Sequence, residues 1–357
     1  MIEEEVKNIL QIAIQQQASD IHLMPKSSHY ELLLSVHGQL YFLKELTDKD
    51  AKRMIAQLKF LADLDVGEKR RPQSGACEFE IEEEMPPIEL RLSTITDVNL
   101  KESLVIRVIY SRIHQAQAVN CYFPSDLQLL KSLVQRKSGL ILISGPVGSG
   151  KTTTIYQLLR ERMAHEQLQI ITMEDPVEIR EESFLQTQIN EKAAISYDLL
   201  IKSALRHHPD ILFIGEIRDE ETARMTIRGA LTGHLMIATL HATNTLGVIG
   251  RLMELQISPQ QLSQTLIGVV SQRLVPRYCL CCHKISTNHC PHIPATQKRA
   301  ALFELLTGPT LKEVILQGQK QVIDQPVGPK LTLNHQLRKA WAYGYIHQES
   351  YHQFEVL

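Results

Sequence analysis

The sequence has no hydrophobic run long enough to span a membrane and no marked excess of charge of either sign. A membrane helix needs roughly 18 or more consecutive apolar residues, and no run among the 357 residues approaches that length. The 38 Lys and Arg residues nearly balance the 40 Asp and Glu residues, which gives no general attraction to nucleic acid or anionic lipid. The acidic start, MIEEEVKNIL, does not resemble a signal peptide. We therefore expect a cytoplasmic protein that reaches a membrane only through a partner.

Aromatic residues and cysteines are also scarce. Phe, Trp and Tyr make up 5% of the chain, and they form no stripe interleaved with basic residues of the kind that binds single-stranded nucleic acid. Of the six cysteines, Cys77 and Cys121 stand alone. The other four lie close together, as in a metal site: Cys279, Cys281, Cys282 and Cys290.

The rest of the sequence is that of a globular protein, with 43% hydrophobic residues and a length that favours two or three domains. Residues 1–112 combine a leading amphipathic helix with short alternating runs, a pattern typical of an α+β domain. The polar segment 113–124 ends at a proline and is interpreted as a linker. In residues 125–274 apolar strands alternate with helices, which predicts an α/β domain built on a parallel sheet. Residues 275–357 form a smaller C-terminal region.

A glycine-rich segment joins an apolar run to a predicted helix. The segment GPVGSGKT, Gly145 to Thr152, satisfies the pattern G-x-x-x-x-G-K-[ST] in the strand–loop–helix context that the motif requires. Glycines let backbone N–H groups turn toward phosphates, and the positive end of the helix adds to the attraction. Lys151 is predicted to reach the β- and γ-phosphates, and the Thr152 hydroxyl to hold Mg²⁺. The predicted nucleotide-binding residues are Gly145, Pro146, Val147, Gly148, Ser149, Gly150, Lys151, Thr152 and Thr153.

Acidic residues follow two further apolar runs of the predicted sheet. PDILFIGE puts Glu216 just past one strand, and IITMEDPVE puts Glu174, Asp175 and Glu178 at the end of another. The carboxyl ends of parallel strands meet at one edge of the sheet, where ligands of open α/β proteins bind. We therefore expect these carboxylates near the phosphates, where an acid past the strand contacts Mg²⁺ or its waters.

Two histidines bracket the apolar run 235–240. His241 is predicted at the carboxyl end of that strand, close to the γ-phosphate, where an imidazole would sense whether that phosphate is present. His234 lies at the opposite end of the strand and is the weaker functional candidate. The alternative for either residue is a structural histidine with satisfied hydrogen bonds.

Four segments in this order carry a resemblance to a known family. GPVGSGKTT, ITMEDPVE, GEIRDEETA and TGHLMIATLHATNT resemble the Walker A, Asp box, Walker B and His box of the type II secretion and type IV pilus assembly ATPases. ASDIHL, GEKRRPQSG and ELRLST resemble the family's second N-terminal domain, and LIGVVSQRLV followed by cysteines resembles its C-terminal region. Within the family, the short N-terminus is most similar to the ATPases of competence pseudopili in Gram-positive bacteria.

The resemblance implies a RecA-like P-loop ATPase domain, a smaller PAS-like α+β N-terminal domain and a ring of six subunits. It also implies that arginines of the N-terminal domain reach a nucleotide; the matching positions are Arg91 and Arg107, with surface ion pairs as the alternative. A mobile arginine would stabilise charge on the transferring phosphoryl group. Glu178 matches the position that activates or places the attacking water and Glu216 the Mg²⁺ side, with an exchange of these two roles left open.

Two segments depart from the family's pattern. Ser35-Val36-His37-Gly38 stands where the family has R-x-D-G, so no arginine role is carried over there. The turn TDVNLKES, residues 96–103, lacks the usual glycine.

The cysteine cluster has a spacing that suits a metal. Cys279-x-x-Cys282 places two thiolates on one tight turn, a chelate spacing favoured by Zn²⁺. Cys290 and one histidine would complete a Cys₃His site; His292 is the predicted ligand, and His283 and His289 remain open. Reduced surface thiols are the alternative. After the cluster, helices are predicted at 298–306 and 333–342.

The function that these features favour is a cytosolic ATPase motor that powers assembly of a type IV pilus-like competence pseudopilus for DNA uptake. ATP and Mg²⁺ are the predicted cofactors, with Zn²⁺ at the cysteine cluster. The predicted partners are further copies of the chain in a homo-hexamer and a polytopic inner-membrane platform protein. No direct contact with nucleic acid is expected.

Two other classes of protein are alternatives. A nucleic-acid translocase is one, because RecA-like rings also move DNA; the near-neutral charge argues against it. A regulator that binds nucleotide without useful turnover is the other. The complete set of acidic residues around the predicted phosphate site argues against this second class.

Overall fold

The computed structural model describes residues 2–36, 39–81, 87–109, 119–190, 193–285, 290–317 and 332–356. Three sequence features lie wholly or partly outside these ranges: the His37-Gly38 turn, residues 113–118 of the predicted linker, and His289. The chain forms two compact units, Met1–Ala116 and Gln117–Leu357. The domain limits expected at residues 112, 124 and 274 stay predictions.

The first unit packs two helices on a six-stranded antiparallel sheet. Its elements are α1 (Ile2–Gln15), β1 (Asp20–Pro25), β2 (His29–Val36), β3 (Gln39–Thr47), α2 (Asp48–Leu61), β4 (Gln73–Phe79), β5 (Ile88–Thr96) and β6 (Glu102–Ile109). The strand order is β3-β2-β1-β6-β5-β4, with antiparallel pairing throughout. In β2 every second residue from Tyr30 to Val36 is buried, so one face of the sheet forms the core with the helices.

The leading helix buries one side, as the amphipathic pattern predicts. Val6, Ile9, Leu10 and Ala13 are at most 3% exposed, and they follow the spacing of a single helix face. With 14 residues each, α1 and α2 are short. Within the described ranges no helix combines the length and the apolar character that crossing a membrane requires.

The second unit is built on a seven-stranded sheet. Its elements are α3 (Pro124–Val134), β7 (Gly139–Ser144), α4 (Lys151–Met163), β8 (Ile170–Glu174), β9 (Leu185–Gln188), α5 (Tyr197–Ala204), β10 (Ile211–Ile214), α6 (Glu220–Leu231), β11 (Leu235–Leu240), α7 (Thr245–Glu254), α8 (Pro259–Thr265), β12 (Leu266–Pro276), β13 (Tyr278–Cys279), β14 (Lys284–Ile285), β15 (Arg299–Thr307), α9 (Gly308–Gln317), α10 (Leu333–Ala342) and α11 (Gln348–Phe354). The strand order is β15-β12-β7-β11-β10-β8-β9. All strand pairings within this seven-stranded sheet are parallel except that of β15 with β12.

The central strands of this sheet are buried on both faces. Every residue of β7, β8, β10 and β11 is buried. Within β10, Ile211 and Ile214 belong to separate hydrophobic clusters on opposite faces. The strands are therefore continuous apolar runs, as expected for a parallel sheet covered by helices, and polar side chains reach solvent at the strand ends.

The helix predicted at 298–306 is wrong, since these residues form most of β15. The segment KRAALFELL is rich in Ala and Leu, which favour a helix in isolation. In the folded protein it pairs antiparallel with β12 through nine residue pairs, from Gly268–Thr307 to Pro276–Arg299. Long-range pairing and burial override local propensity here. The helix predicted at 333–342 is confirmed as α10.

Candidate active site

The glycine-rich loop connects β7 to α4, the context that the motif requires. Gly150 has φ +79° and precedes the first residue of α4, a conformation that glycine adopts without strain. Gly145 approaches β12 so closely that a Cβ there would lie 2.5 Å from the carbonyl oxygen of Gln272. Ser149 is 3% exposed, and its Oγ has no hydrogen-bond partner among the described residues. The loop is thus a tight cradle with an unused buried hydroxyl, which fits a phosphate ligand.

Lys151 is the first residue of α4 and is folded over the loop. Its Nζ donates to the carbonyl oxygens of Gly145, at 2.9 Å, and Pro146, at 3.1 Å. Burial lowers the pKa of Lys151, and the negative charges of Glu216 and Glu178 act in the opposite direction. Both carboxylates therefore lie close enough to influence the charge of the lysine.

Glu216 lies at the centre of the polar side chains beyond the strand ends. One carboxylate oxygen is 3.3 Å from His241 Nε2, and the other accepts from Arg218 Nε at 2.6 Å. Arg218 also donates to Asp175 Oδ2 at 2.9 Å. The residues that follow the carboxyl ends of β8, β10 and β11 are therefore linked by hydrogen bonds and ion pairs at one edge of the sheet.

Glu174 differs from the other acids that the sequence groups with it. It is 3% exposed and accepts hydrogen bonds from the Tyr156 hydroxyl and from Thr172 Oγ1. Burial raises the pKa of Glu174. It is therefore committed to contacts inside the unit, whereas Glu178 is exposed and available.

The strand β12 contributes contacts that the sequence patterns do not reveal. Gln272 Nε2 donates to the Ser149 carbonyl at 2.7 Å, which ties β12 to the glycine-rich loop. Arg273 donates to the Thr243 carbonyl at 2.7 Å, in the loop that follows His241. In the sequence, the segment SQR stands out only through the resemblance to the family's C-terminal region, because contacts that span 123 and 30 residues leave no local signal.

The geometry of a P-loop beside an acid–histidine pair agrees with the comparisons with known proteins. The profile of a family described as "Type II/IV secretion system protein" matches residues 1–349. The competence protein ComGA of Bacillus subtilis (strain 168) is 36% identical over 351 residues, covering 98% of this chain and 97% of the relative. The chain belongs to the Type II/IV secretion system protein family.

Solved structures agree in fold with this family assignment. The X-ray structure of the ATPase DotB from Legionella pneumophila has a TM-score of 0.72 at 19% identity, covering 98% of this chain and 94% of that one. The pilus retraction motor PilT with bound ADP has a TM-score of 0.66 at 25% identity, covering 98% and 96%. The predicted fold, a RecA-like P-loop ATPase domain with a smaller α+β N-terminal domain, is confirmed, and so is the predicted enzyme class, an ATP hydrolase.

In the first unit of this family member, Arg91 and Arg107 form a directly opposed pair on β5 and β6. Arg91 donates to Glu89 at 3.1 Å, and Arg107 donates to Asp20 at 3.0 Å with half of its side chain exposed. Both arginines lie on the sheet face opposite the core, between buried neighbours on their strands.

The predicted zinc ligands lie together in the second unit. The ligand atoms of Cys279, Cys282, Cys290 and His292 are all within 4.8 Å of one another. Cys282 Sγ is 3.0 Å from His292 Nδ1 and 3.8 Å from Cys290 Sγ. Three thiols and an imidazole are the donor set that Zn²⁺ prefers, so the residues fit the metal. The neighbouring Cys281 is exposed and is not one of the four.

Proposed function

We propose that this chain is the ATPase motor that drives assembly of a competence pseudopilus, and that its P-loop edge is the site of hydrolysis. The function is supported by the relationship to ComGA over nearly the whole of both chains. The observation that carries the catalytic assignment is the 3.3 Å contact between Glu216 and His241 beside Lys151, which brings together three separated segments of sequence.

The proposed chemistry is positioning and charge stabilisation around a transferring phosphoryl group. Backbone N–H groups of residues 145–153 and the Lys151 ammonium would hold the phosphates. Thr152 and Glu216 would hold Mg²⁺, which neutralises developing charge when bound. Glu178 would place the attacking water, and His241 would report the state of the γ-phosphate to Glu216. Exposure of Glu178 and the contacts of Glu216 with His241 and Arg218 favour this division of roles.

Replacement of Lys151 tests the catalytic assignment. Lys151→Ala removes the ammonium that would contact the β- and γ-phosphates, so steady-state ATP hydrolysis should fall to background. Lys137→Ala, which removes an exposed lysine from the same unit, is the matched control and should retain the original rate. Hydrolysis by Lys151→Ala at the rate of the unmodified protein would contradict the assignment.

The assembly partners are part of the same proposal. Six copies would form a ring in which Arg91 and Arg107 contribute to catalysis, and the ring would act on a polytopic platform protein at the inner face of the membrane. Native mass measurement with a non-hydrolysable ATP analogue should give six chains; one chain at all concentrations would refute the ring. A salt-dependent rise in ATPase rate on adding DNA would instead favour a nucleic-acid translocase.

The zinc site is the remaining component. We expect about one zinc per chain after gel filtration, since all four donors lie within reach of one ion. Cys282→Ser should lower the zinc content and the Tm, whereas Cys281→Ser should change neither, because that thiol lies outside the cluster. Unmodified protein that is folded and free of zinc would overturn the site.

A further inference from the structure

The loop that carries His241, residues 241–244 between β11 and α7, is called the histidine loop here. Two buried charged residues that the proposed mechanism does not use form hydrogen bonds to this loop and to the residue that follows it. Arg273 on β12 and Glu304 on β15 are 8% and 2% exposed. Two charges are rarely buried this far from water without a specific partner, because desolvation disfavours the charged form. The hydrogen bonds of Arg273 and Glu304 therefore indicate the role of the two residues.

Arg273 donates hydrogen bonds to a backbone carbonyl of the histidine loop and to a backbone carbonyl of its own strand. One guanidinium nitrogen donates to the Thr243 carbonyl at 2.7 Å, and the other donates to the Gln272 carbonyl at 3.0 Å. Gln272 is the residue whose side chain holds the glycine-rich loop through Ser149. Arg273 thus connects the histidine loop to the strand that supports the phosphate cradle.

Glu304 binds Thr245, the first residue of α7, which directly follows the same loop. One carboxylate oxygen accepts from the Thr245 backbone N–H at 2.8 Å and from the Thr245 hydroxyl at 2.6 Å. The other oxygen accepts from the Leu333 N–H at 2.8 Å, at the start of α10. Between these anchors, Asn244 caps α7 by accepting from the Gly247 N–H at 2.8 Å. Residues 243, 244 and 245 are therefore each fixed by a separate hydrogen bond.

The side chain of His241 is in contrast half-exposed, with a contact to Glu216 at 3.3 Å. Its position depends on the backbone that follows it. We propose that Arg273 and Glu304 are positioning residues that hold the 243–245 backbone so that His241 stays within reach of Glu216 and the nucleotide. This inference rests on the proposed role of His241 in hydrolysis. Neither residue is among the proposed ligands of the nucleotide or of Mg²⁺, and both act through the histidine.

Arg273→Met tests the proposal, because methionine keeps much of the length and loses the donors. We expect kcat to fall about 10- to 100-fold, the size of effect that a misplacement of about 1 Å produces, with KM and the Kd of a fluorescent ADP analogue unchanged within about threefold. Arg273→Lys keeps one donor for Thr243 and should recover part of kcat.

Arg162 provides a matched control. It lies in the last turn of α4, its side chain is largely buried with 8% exposed, and it donates to the carbonyls of Val134 and Arg136. Arg162→Met should lower the Tm as Arg273→Met does but keep kcat. If the two variants lose kcat equally, or if Arg273→Met keeps kcat, the positioning role is refuted. Failure of the proposed function is distinguishable, since it would appear as hydrolysis that survives Lys151→Ala.

A second pair of variants keeps the test valid if Arg273→Met does not fold. Thr245→Val removes the hydroxyl that donates to Glu304 and changes the volume very little. Thr226→Val is the control, because Thr226 is equally buried and its hydroxyl donates within α6 to Thr222. We expect Thr245→Val alone to lower kcat, by about threefold to tenfold; an unchanged kcat, or an equal loss in both, would overturn the role of Glu304.

Discussion

The two sheets of this protein present the side chains proposed to act in hydrolysis in different ways. In the seven-stranded sheet the central strands β7, β8, β10 and β11 are buried throughout, and Glu216 and His241 lie just past the ends of β10 and β11. In the six-stranded sheet Arg91 and Arg107 stand in the middle of paired strands. A parallel sheet covered on both faces can offer a ligand only its ends. An antiparallel sheet with one face free of the core can offer residues from its middle.

The largest effect is expected at the strand end of the parallel sheet. Glu216→Gln removes the charge proposed to hold Mg²⁺ and weakens the contacts with His241 and Arg218, so kcat should fall by about 10²- to 10³-fold. Glu254→Gln, at an exposed acid of the same unit, should leave kcat unchanged. Steady-state ATPase assays compare the two; a Glu216→Gln rate within about threefold of the original would show that the strand end is not the catalytic edge.

The next effect concerns the face of the antiparallel sheet. Arg107→Ala and Arg91→Ala should each lower kcat by about 100-fold, because an arginine brought to the phosphoryl group stabilises its charge. Arg53→Ala removes an exposed arginine of the same unit and serves as the control. Mixing Arg107→Ala with Lys151→Ala chains should restore part of the activity if the arginine serves a neighbouring subunit. Unchanged kcat in both arginine variants would mean that they form surface ion pairs only.

The two sheets should also differ in which isoleucines contribute to the free energy of unfolding. Ile211→Val and Ile214→Val, on opposite faces of β10, should each cost about 0.5–1.5 kcal/mol, because both side chains are fully buried. In the first unit, Ile106→Val should cost a similar amount, and Ile95→Val, at a position that is 59% exposed, should stay within about 0.5 kcal/mol. Denaturant unfolding measures all four. Equal costs at Ile106 and Ile95 would contradict the one-sided core of the antiparallel sheet.

The smallest effect is a pH dependence inside the parallel sheet. Burial raises the pKa of Glu174 above its usual value of 4.5. A carboxyl whose pKa is higher in the folded state stabilises fully below the unfolded pKa, and this contribution is lost as the pH rises through the folded pKa. Glu174→Gln should therefore flatten the decline of Tm at pH values above about 4.5, while Glu254→Gln should keep the original slope. Parallel slopes in both variants would mean that Glu174 does not titrate in this range.

Sequence patterns predicted the strands of the parallel sheet better than its edges. The four central strands, the glycine-rich loop and the positions of Glu216 and His241 follow from local runs and motif spacing. The strand β15 was predicted as a helix because its Ala and Leu residues satisfy helix propensity, and its pairing partners lie 23 or more residues earlier in sequence. Contacts of this kind depend on the whole fold.

The same reason explains which site residues were missed. Arg218 lies inside a recognised motif, but its hydrogen bond to Asp175 spans 43 residues. Gln272 reaches Ser149 across 123 residues. The arginines of the first unit came only from the family resemblance, since a residue in mid-strand has no pattern of its own. Motifs reveal residues at strand ends and turns, whereas supporting residues appear only once the strands are paired.

The most direct test is a structure of the protein with a non-hydrolysable ATP analogue and Mn²⁺ in place of Mg²⁺. We expect phosphates within hydrogen-bond distance of Lys151 Nζ and of the backbone N–H groups of the glycine-rich loop. We also expect an anomalous Mn²⁺ signal between Thr152 and Glu216, on the side of the sheet edge where His241 lies. A triphosphate bound elsewhere, or a metal ion away from Glu216, would contradict the claim that the carboxyl ends of these strands form one catalytic site.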